Sequence, residues 1–335
     1  MAQIVPIFIP HEGCRHSCSF CNQHAISGAA QRRVRAAQVA LEIETWLERF
    51  TRVPDEQVEV AFYGGSFTGL SKERQLELLG AVTPFLTSGK VHHVRLSTRP
   101  DYIDQERIDL LKAHQVQIVE LGVQSLDDHV LGLAGRGHTA RDVKTSVQLL
   151  QANGMQVGMQ LMLGLPGQSF SSLRKTVQQT IARKPDCVRM YPVLVVTGSA
   201  LEKAYRNGSY TPLSLSKAVL QAAYMKKRFD QHGIQVIRMG LQPAESLTQT
   251  LVAGPYHPSF GEMVLSRLML KQVRQLLAGH TEPVQLFIHP RDMSIFRGMR
   301  SANMYRLAEL GLLESFELQT DETIPRCTVR VAAHA

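Results

Sequence analysis

The sequence predicts an α/β fold built on parallel strands, on three observations. Apolar runs of strand length alternate with segments of helical period over the first two thirds of the chain. The chemically distinctive motifs each follow one of those runs. Near residue 240 the alternation stops. Strand, helix and strand joined by short connections form parallel βαβ units, whose sheet is buried on both faces or curled into a barrel.

The strand-length runs cover residues 4–9, 58–63, 91–96, 117–123, 156–163 and 186–193. Six units make an incomplete barrel, a partial (β/α)6 barrel of the TIM type. Between the runs, Val39, Ile43, Trp46 and Phe50 form one apolar stripe at helical spacing. Val143, Val147 and Leu150 form another, opened by a Thr139-x-x-Asp142 capping box and closed at Gly154. Leu173, Val177 and Ile181 mark a third. After Tyr210 the pattern predicts a long helix over 215–231, stopped by Gly233, and a strand over 234–238. A smaller α+β unit follows, with helices near 260–278 and 299–311 and strands near 284–289 and 314–331. The expected domains are therefore 1–240 and 241–335.

Composition narrows the function classes. A chain of 335 residues with 44% hydrophobic content buries a full core in each of about two domains, which excludes a disordered protein. No stretch reaches the 18 or more apolar residues of a membrane helix. The first apolar run lacks a basic leader and is interrupted by Pro6 and Pro10, so a cytoplasmic protein is expected. The net charge of +8 is spread along the chain, with Arg32, Arg33 and Arg35 and then Lys226, Lys227 and Arg228 as the tight groups. Such groups read first as solvated helix faces; RNA or an anionic substrate remains compatible with them. Five cysteines, an odd number, do not make a disulfide scaffold.

Parallel strands place their C-terminal ends on one rim, where loops carry chemistry. There the cysteine cluster follows the first run, Gly64-Gly65-Ser66 the second, Ser97-Thr98-Arg99-Pro100 the third, Gln124-Ser125 the fourth and Gly164-Leu165-Pro166-Gly167 the fifth. Cys14, Cys18 and Cys21 have the spacing C-x3-C-x2-C. Three thiolates on one loop can converge on a metal centre, and three is one fewer than a closed site takes, which leaves a coordination position for a ligand. A zinc site would need a fourth ligand, for which His11, His16 and His24 are near enough; that reading makes the chain a non-catalytic zinc or iron–sulfur binding protein. Cys187 and Cys327 read as small buried hydrophobes. His257 and His289 each precede a proline, as in rigid turns; the functional reading makes them substrate contacts or proton donors.

Cys14, Cys18 and Cys21, with Phe20 before the last cysteine, resemble the signature of the radical S-adenosylmethionine superfamily. Leu121-Gly-Val-Gln-Ser125, Gly135-Arg-Gly-His-Thr139 and Leu163-Gly-Leu-Pro-Gly167 are similar to oxygen-independent coproporphyrinogen oxidases and the Elongator catalytic subunit. Tyr191-Pro-Val-Leu-Val195 with Gly198, Leu201, Gly208 and Tyr210 resembles the Elongator type, over roughly residues 4–240.

The resemblance implies a partial barrel of the radical S-adenosylmethionine kind. It also implies a 4Fe-4S cluster on the three cysteines, with S-adenosylmethionine on the fourth iron and a 5′-deoxyadenosyl radical as the agent of hydrogen abstraction. By the same resemblance Gly64 and Gly65 lie against the methionine amine, Ser66 replaces a common Glu, Gln124 and Arg136 hold the nucleoside and the methionine carboxylate, and Gln160 meets a ribose hydroxyl. A flavodoxin or ferredoxin type of electron donor is expected, and RNA modification is the second enzymatic reading. Gln23 stands where porphyrinogen oxidases carry a further cysteine, which argues against that decarboxylation. The C-terminal remainder lacks a glycine-rich coenzyme A loop, so acetyl transfer is not expected.

Overall fold

Alternation of β-branched residues with a second, polar set builds a seven-stranded sheet in the computed structural model, which describes residues 3–9, 11–22, 33–50 and 56–333. The strands are β1 (Gln3–Ile9), β2 (Val58–Gly64), β3 (His93–Thr98), β4 (Val116–Gln124), β5 (Gln156–Leu163) and β6 (Cys187–Pro192). A pair of residues forms β7 (Val195–Val196), and β8 (Gln235–Met239) completes the sheet. The order is β1-β2-β3-β4-β5-β6-β8 with every neighbour parallel, a sheet curled into a half-barrel. All six expected strands are present; β8 adds a seventh at the edge by pairing with β6.

Register sorts the side chains into two faces. Val60, Phe62, Val94, Leu96, Val119, Leu121, Met159 and Leu161 are fully buried on the helix-covered face. The opposite face carries Glu59 and Tyr63, His93 and Arg95, Glu120, Gln160, and Arg189 and Tyr191, paired residues on one strand being separated by an even number of positions. The covering helices begin where capping chemistry dictates. The helix Ala140–Ala152 opens with Thr139 and Asp142 exchanging side-chain and backbone hydrogen bonds, and Gly154 beyond its end has φ +74. Ser71 caps the helix Lys72–Thr87, and Ser169 caps the helix Phe170–Arg183.

The chain forms two compact units, one of Met1–Leu213 with Phe229–Pro255 and the other of Ser214–Arg228 with Tyr256–Ala335. The first also contains β9 (Leu251–Ala253), antiparallel to β7. In the second, β10 (Val284–Ile288) lies between β11 (Phe316–Thr320), parallel to it, and β12 (Val329–Ala333), antiparallel to it. Its core gathers Met269, Val273 and Leu277 of the helix Phe260–Leu277 with Leu286, Ile288, Phe296 and Leu307. Both His-Pro histidines serve turns: His257 Nδ1 accepts from Ser259 N–H and His289 Nδ1 from Arg291 N–H, each at 3.0 Å.

Candidate active site

The cysteine loop leaves β1 and is fastened on two sides. Glu12 makes a two-pronged ion pair with buried Arg74 of the helix Lys72–Thr87, both contacts at 3.0 Å. Its carbonyl accepts from Ser66 N–H at 2.8 Å, while Gly65 N–H donates to Ile9 O at 2.9 Å. A side chain at Gly65 has no room, because a Cβ there would lie 2.0 Å from Glu12 O and 2.7 Å from Ile9 O. Gly64 closes β2 at φ 103, a conformation suited to glycine. On the far side Ser19 N–H donates to Ala134 O at 2.9 Å, tying the loop to the connection after β4.

Cys18 is buried, Cys14 and Cys21 are half-buried, and none of the three is in a disulfide. Cys14 Sγ lies 3.2 Å from Ser66 Oγ, which is buried. Phe20 packs against the cluster of Val130, Ala134, Leu165, Val193 and Tyr210. Among the described residues no three His, Cys, Asp or Glu side chains gather as a single ion requires. A cluster seats each thiolate on a different iron and so spaces its ligands more widely than one ion does. His11 and His16 lie in the loop, His16 with its ring against Gly137, and His24 and Gln23 lie outside the described residues.

The loop after β4 supplies the polar side of the site. Gln124 takes φ +64 beside a register shift in β4 and is buried with Oε1 unpartnered. Arg136 is 6% exposed; its guanidinium donates to Cys18 Sγ at 3.0 Å and to Gly122 O, and its Nε has no partner. Arg99, paired through two 2.9 Å contacts with Asp101, donates to Arg136 O at 2.5 Å. His138 follows, with a ring nitrogen 3.3 Å from Val123 O; burial, reinforced by Arg136 and Arg99, pushes its pKa down to about 3. Gln160 lies deeper, its amide donating to Ser97 Oγ at 3.3 Å and Glu120 Oε2 at 3.4 Å.

Below the rim lies a feature the sequence reading missed, a charged ladder across the open face of the sheet. Glu59 accepts from His93 at 3.0 Å and Arg95 at 2.7 Å. Glu120 accepts from Arg95 at 3.0 Å and from Arg189 at 2.6 and 2.9 Å. Arg189 also donates to Tyr63 OH at 2.9 Å and lies over the Tyr63 ring. Burial alone would raise the Glu59 pKa, yet hydrogen bonds from His93 and Arg95 hold it at about 2. Burial and the Glu120 charge push Tyr63 up to about 12. Burial, with Glu120 nearby, takes the Cys187 thiol up to about 11, in keeping with an unreactive cysteine. Two carboxylates and two guanidiniums cancel, so the ladder is a neutral hydrogen-bonding floor. Its signal in the sequence was the charge at alternate positions of otherwise apolar strands.

Three thiols on one fastened loop fit the ligand chemistry of a 4Fe-4S cluster that keeps one iron open, and a buried guanidinium lies against one of them. The sequence matches a family model described as the radical SAM superfamily over residues 8–180, and a radical SAM C-terminal domain over residues 185–270. It is 26% identical to a tRNA uridine(34) acetyltransferase of Methanocaldococcus infernus, over 70% of this chain and 47% of that protein. It is likewise 26% identical to the heme chaperone HemW of Bacillus subtilis, over 66% of this chain and 59% of that protein. The archaeal Elp3 of Methanocaldococcus infernus, solved without residues 1–46, shares the fold with a TM-score of 0.66 at 24% identity, covering 81% of this chain and 64% of that one. The chain spans about half the length of the first of these relatives. Among the described residues no helix is long and apolar enough to cross a membrane.

Proposed function

Because the chain belongs to the radical S-adenosylmethionine superfamily, an enzyme family that uses a 4Fe-4S cluster and S-adenosylmethionine, we propose that Cys14, Cys18 and Cys21 ligate three irons of that cluster. When bound, the two cofactors together supply a 5′-deoxyadenosyl radical that takes hydrogen from an unactivated carbon. The observation that carries this reading is the C-x3-C-x2-C loop at the strand-end rim, fastened by Gly65 and Glu12.

The remaining roles are those that the family resemblance implies for these positions. Gly64 and Gly65, having no side chains, let backbone approach the methionine amine, while Ser66 offers it a hydroxyl in place of a carboxylate. Phe20 backs the cysteine loop with apolar packing. Gln124 holds the nucleoside, Arg136 the methionine carboxylate and Gln160 a ribose hydroxyl. The proposed core of this activity is residues 1–240, with residues 241–335 as the α+β remainder; the compact units divide differently, residues 214–228 grouping with 256–335 and residues 229–255 with the core. The reductant is a flavodoxin or ferredoxin type of donor, and a thiolate-held cluster suits the reducing cytoplasm.

Anaerobic reconstitution is expected to load about four irons per chain. Reduction with S-adenosylmethionine is expected to release 5′-deoxyadenosine. A zinc-loaded chain that releases none refutes the reading, and an iron-loaded chain that releases none returns it to a non-catalytic binding protein.

The second reading makes the substrate a tRNA or other RNA. It is favoured by the neutral polar floor, which offers no uncompensated cation to a polycarboxylate but suits a flat, uncharged base. The surplus of basic residues and the tRNA-directed name of the archaeal relative point the same way. Transfer RNA affinity should then fall steeply with salt. Binding that is undetectable or insensitive to salt refutes it.

A further inference from the structure

Arg136 and Cys18 are both buried, 6% and 7% exposed, and the guanidinium donates to the sulfur at 3.0 Å. The described partners of Arg136 are a thiol and a carbonyl, with no carboxylate among them. Every other strongly buried arginine at this end of the fold has one: Arg74 has Glu12, Arg95 has Glu59 and Arg99 has Asp101. A guanidinium taken out of water without an opposite charge is unfavourable. As a cluster ligand, the Cys18 sulfur within hydrogen-bond reach would supply the matching negative charge. The contact is held from both sides, since Gly122 O accepts from the same guanidinium and Arg99 fixes the Arg136 backbone. Lysine has no fork to reach the sulfur and that carbonyl together.

We propose that Arg136 is a positioning residue that sets the reduction potential of the cluster through a charge-assisted N–H···S hydrogen bond to Cys18. The inference rests on Cys18 being a cluster ligand, the reading given above. An arriving electron adds negative charge to the cluster, and a fixed cation on a ligand sulfur stabilises that reduced state. Hydrogen bonds to the sulfurs and local charge are among the levers that set such potentials. Arg136 therefore makes the cluster easier to reduce than the same three thiolates would alone.

The test is a potentiometric titration followed by electron paramagnetic resonance, without S-adenosylmethionine, so that any role of Arg136 toward the methionine carboxylate does not enter. Wild type, Arg136→Met and Arg136→Lys are compared at matched iron and sulfide content. Arg136→Met is expected to move the potential to more negative values by at least tenfold in the reduction equilibrium, about 59 mV for one electron. Arg136→Lys, which keeps the charge, should recover part of the shift. An unmoved potential in a fully loaded Arg136→Met chain overturns the proposal alone. A wild-type chain that takes up no cluster overturns the reading of the site and the proposal with it. If Arg136→Met does not hold iron, wild type labelled with 15N-arginine decides instead. Its reduced cluster should show hyperfine coupling to guanidinium nitrogen and to an exchangeable proton, and absence of both overturns the proposal.

Discussion

Replacing Glu120 by Gln tests whether the buried ladder holds the half-barrel together. Glu120 is 1% exposed and accepts from Arg95, from two nitrogens of Arg189, and from Gln160. The amide is nearly the same shape, yet it removes the charge and turns an N–H₂ toward a guanidinium. Arg95 keeps Glu59, whereas Arg189 is left with tyrosine hydroxyls. Breaking one side of a buried ion pair costs about 3–5 kcal/mol. With a urea dependence of about 2–3 kcal/mol per molar, that shifts the unfolding midpoint by about 1–2.5 M. The single tryptophan reports it: Trp46 lies on the helix Ala36–Arg49, in the same compact unit as the ladder, with its ring 5.7 Å from that of Phe50. Urea titration of apo wild type and Glu120→Gln, read by fluorescence and circular dichroism, gives the shift. Joint replacement of Glu120 and Arg189 by Leu removes both charges and should recover at least half of the loss. A Glu120→Gln midpoint within about 0.3 M of wild type, below 1 kcal/mol at that urea dependence, would show that the ladder contributes little to stability.

Three further outcomes can be checked. Gly65→Ala forces a Cβ to within 2.0 Å of Glu12 O and should destabilise the loop by about 1–3 kcal/mol while halving iron uptake; full iron content at an unchanged melting temperature refutes this. His138 is neutral in the fold with its pKa near 3 but charges below 6.5 once unfolded, so its contribution is complete above pH 6.5 and is lost as pH falls toward 3. That amounts to about 5 kcal/mol across the window, which His138→Gln should flatten, and equal pH slopes in both proteins contradict the assignment. Alanine at Cys14, Cys18 or Cys21 should abolish 5′-deoxyadenosine release while circular dichroism of the barrel persists; a variant that keeps full release is not missing a ligand.

The six strands, the capping box at Thr139 and the cysteine loop were legible because each is a local pattern. Alternation marks a strand, a capping pair needs three residues of separation, and a ligand loop needs eight residues. The seventh strand was placed along the chain but not in the sheet, because joining β6 depends on a partner more than forty residues away. The Glu12–Arg74 clasp and the Glu120–Arg189 pair span 62 and 69 residues, and nothing local announces them.

The amino-acid sequence by itself determined which residues share a strand face and which motifs follow a strand, and so placed three thiols, two glycines and Gln124 at one rim. Only the tertiary structure decided that the polar faces meet as an electrically neutral ladder, and that Arg136 comes to rest against Cys18 rather than a carboxylate. Periodicity fixes direction along one segment, whereas register between strands is set by backbone hydrogen bonds formed only on folding. Whether a buried charge is matched therefore depends on neighbours that the linear chain keeps apart.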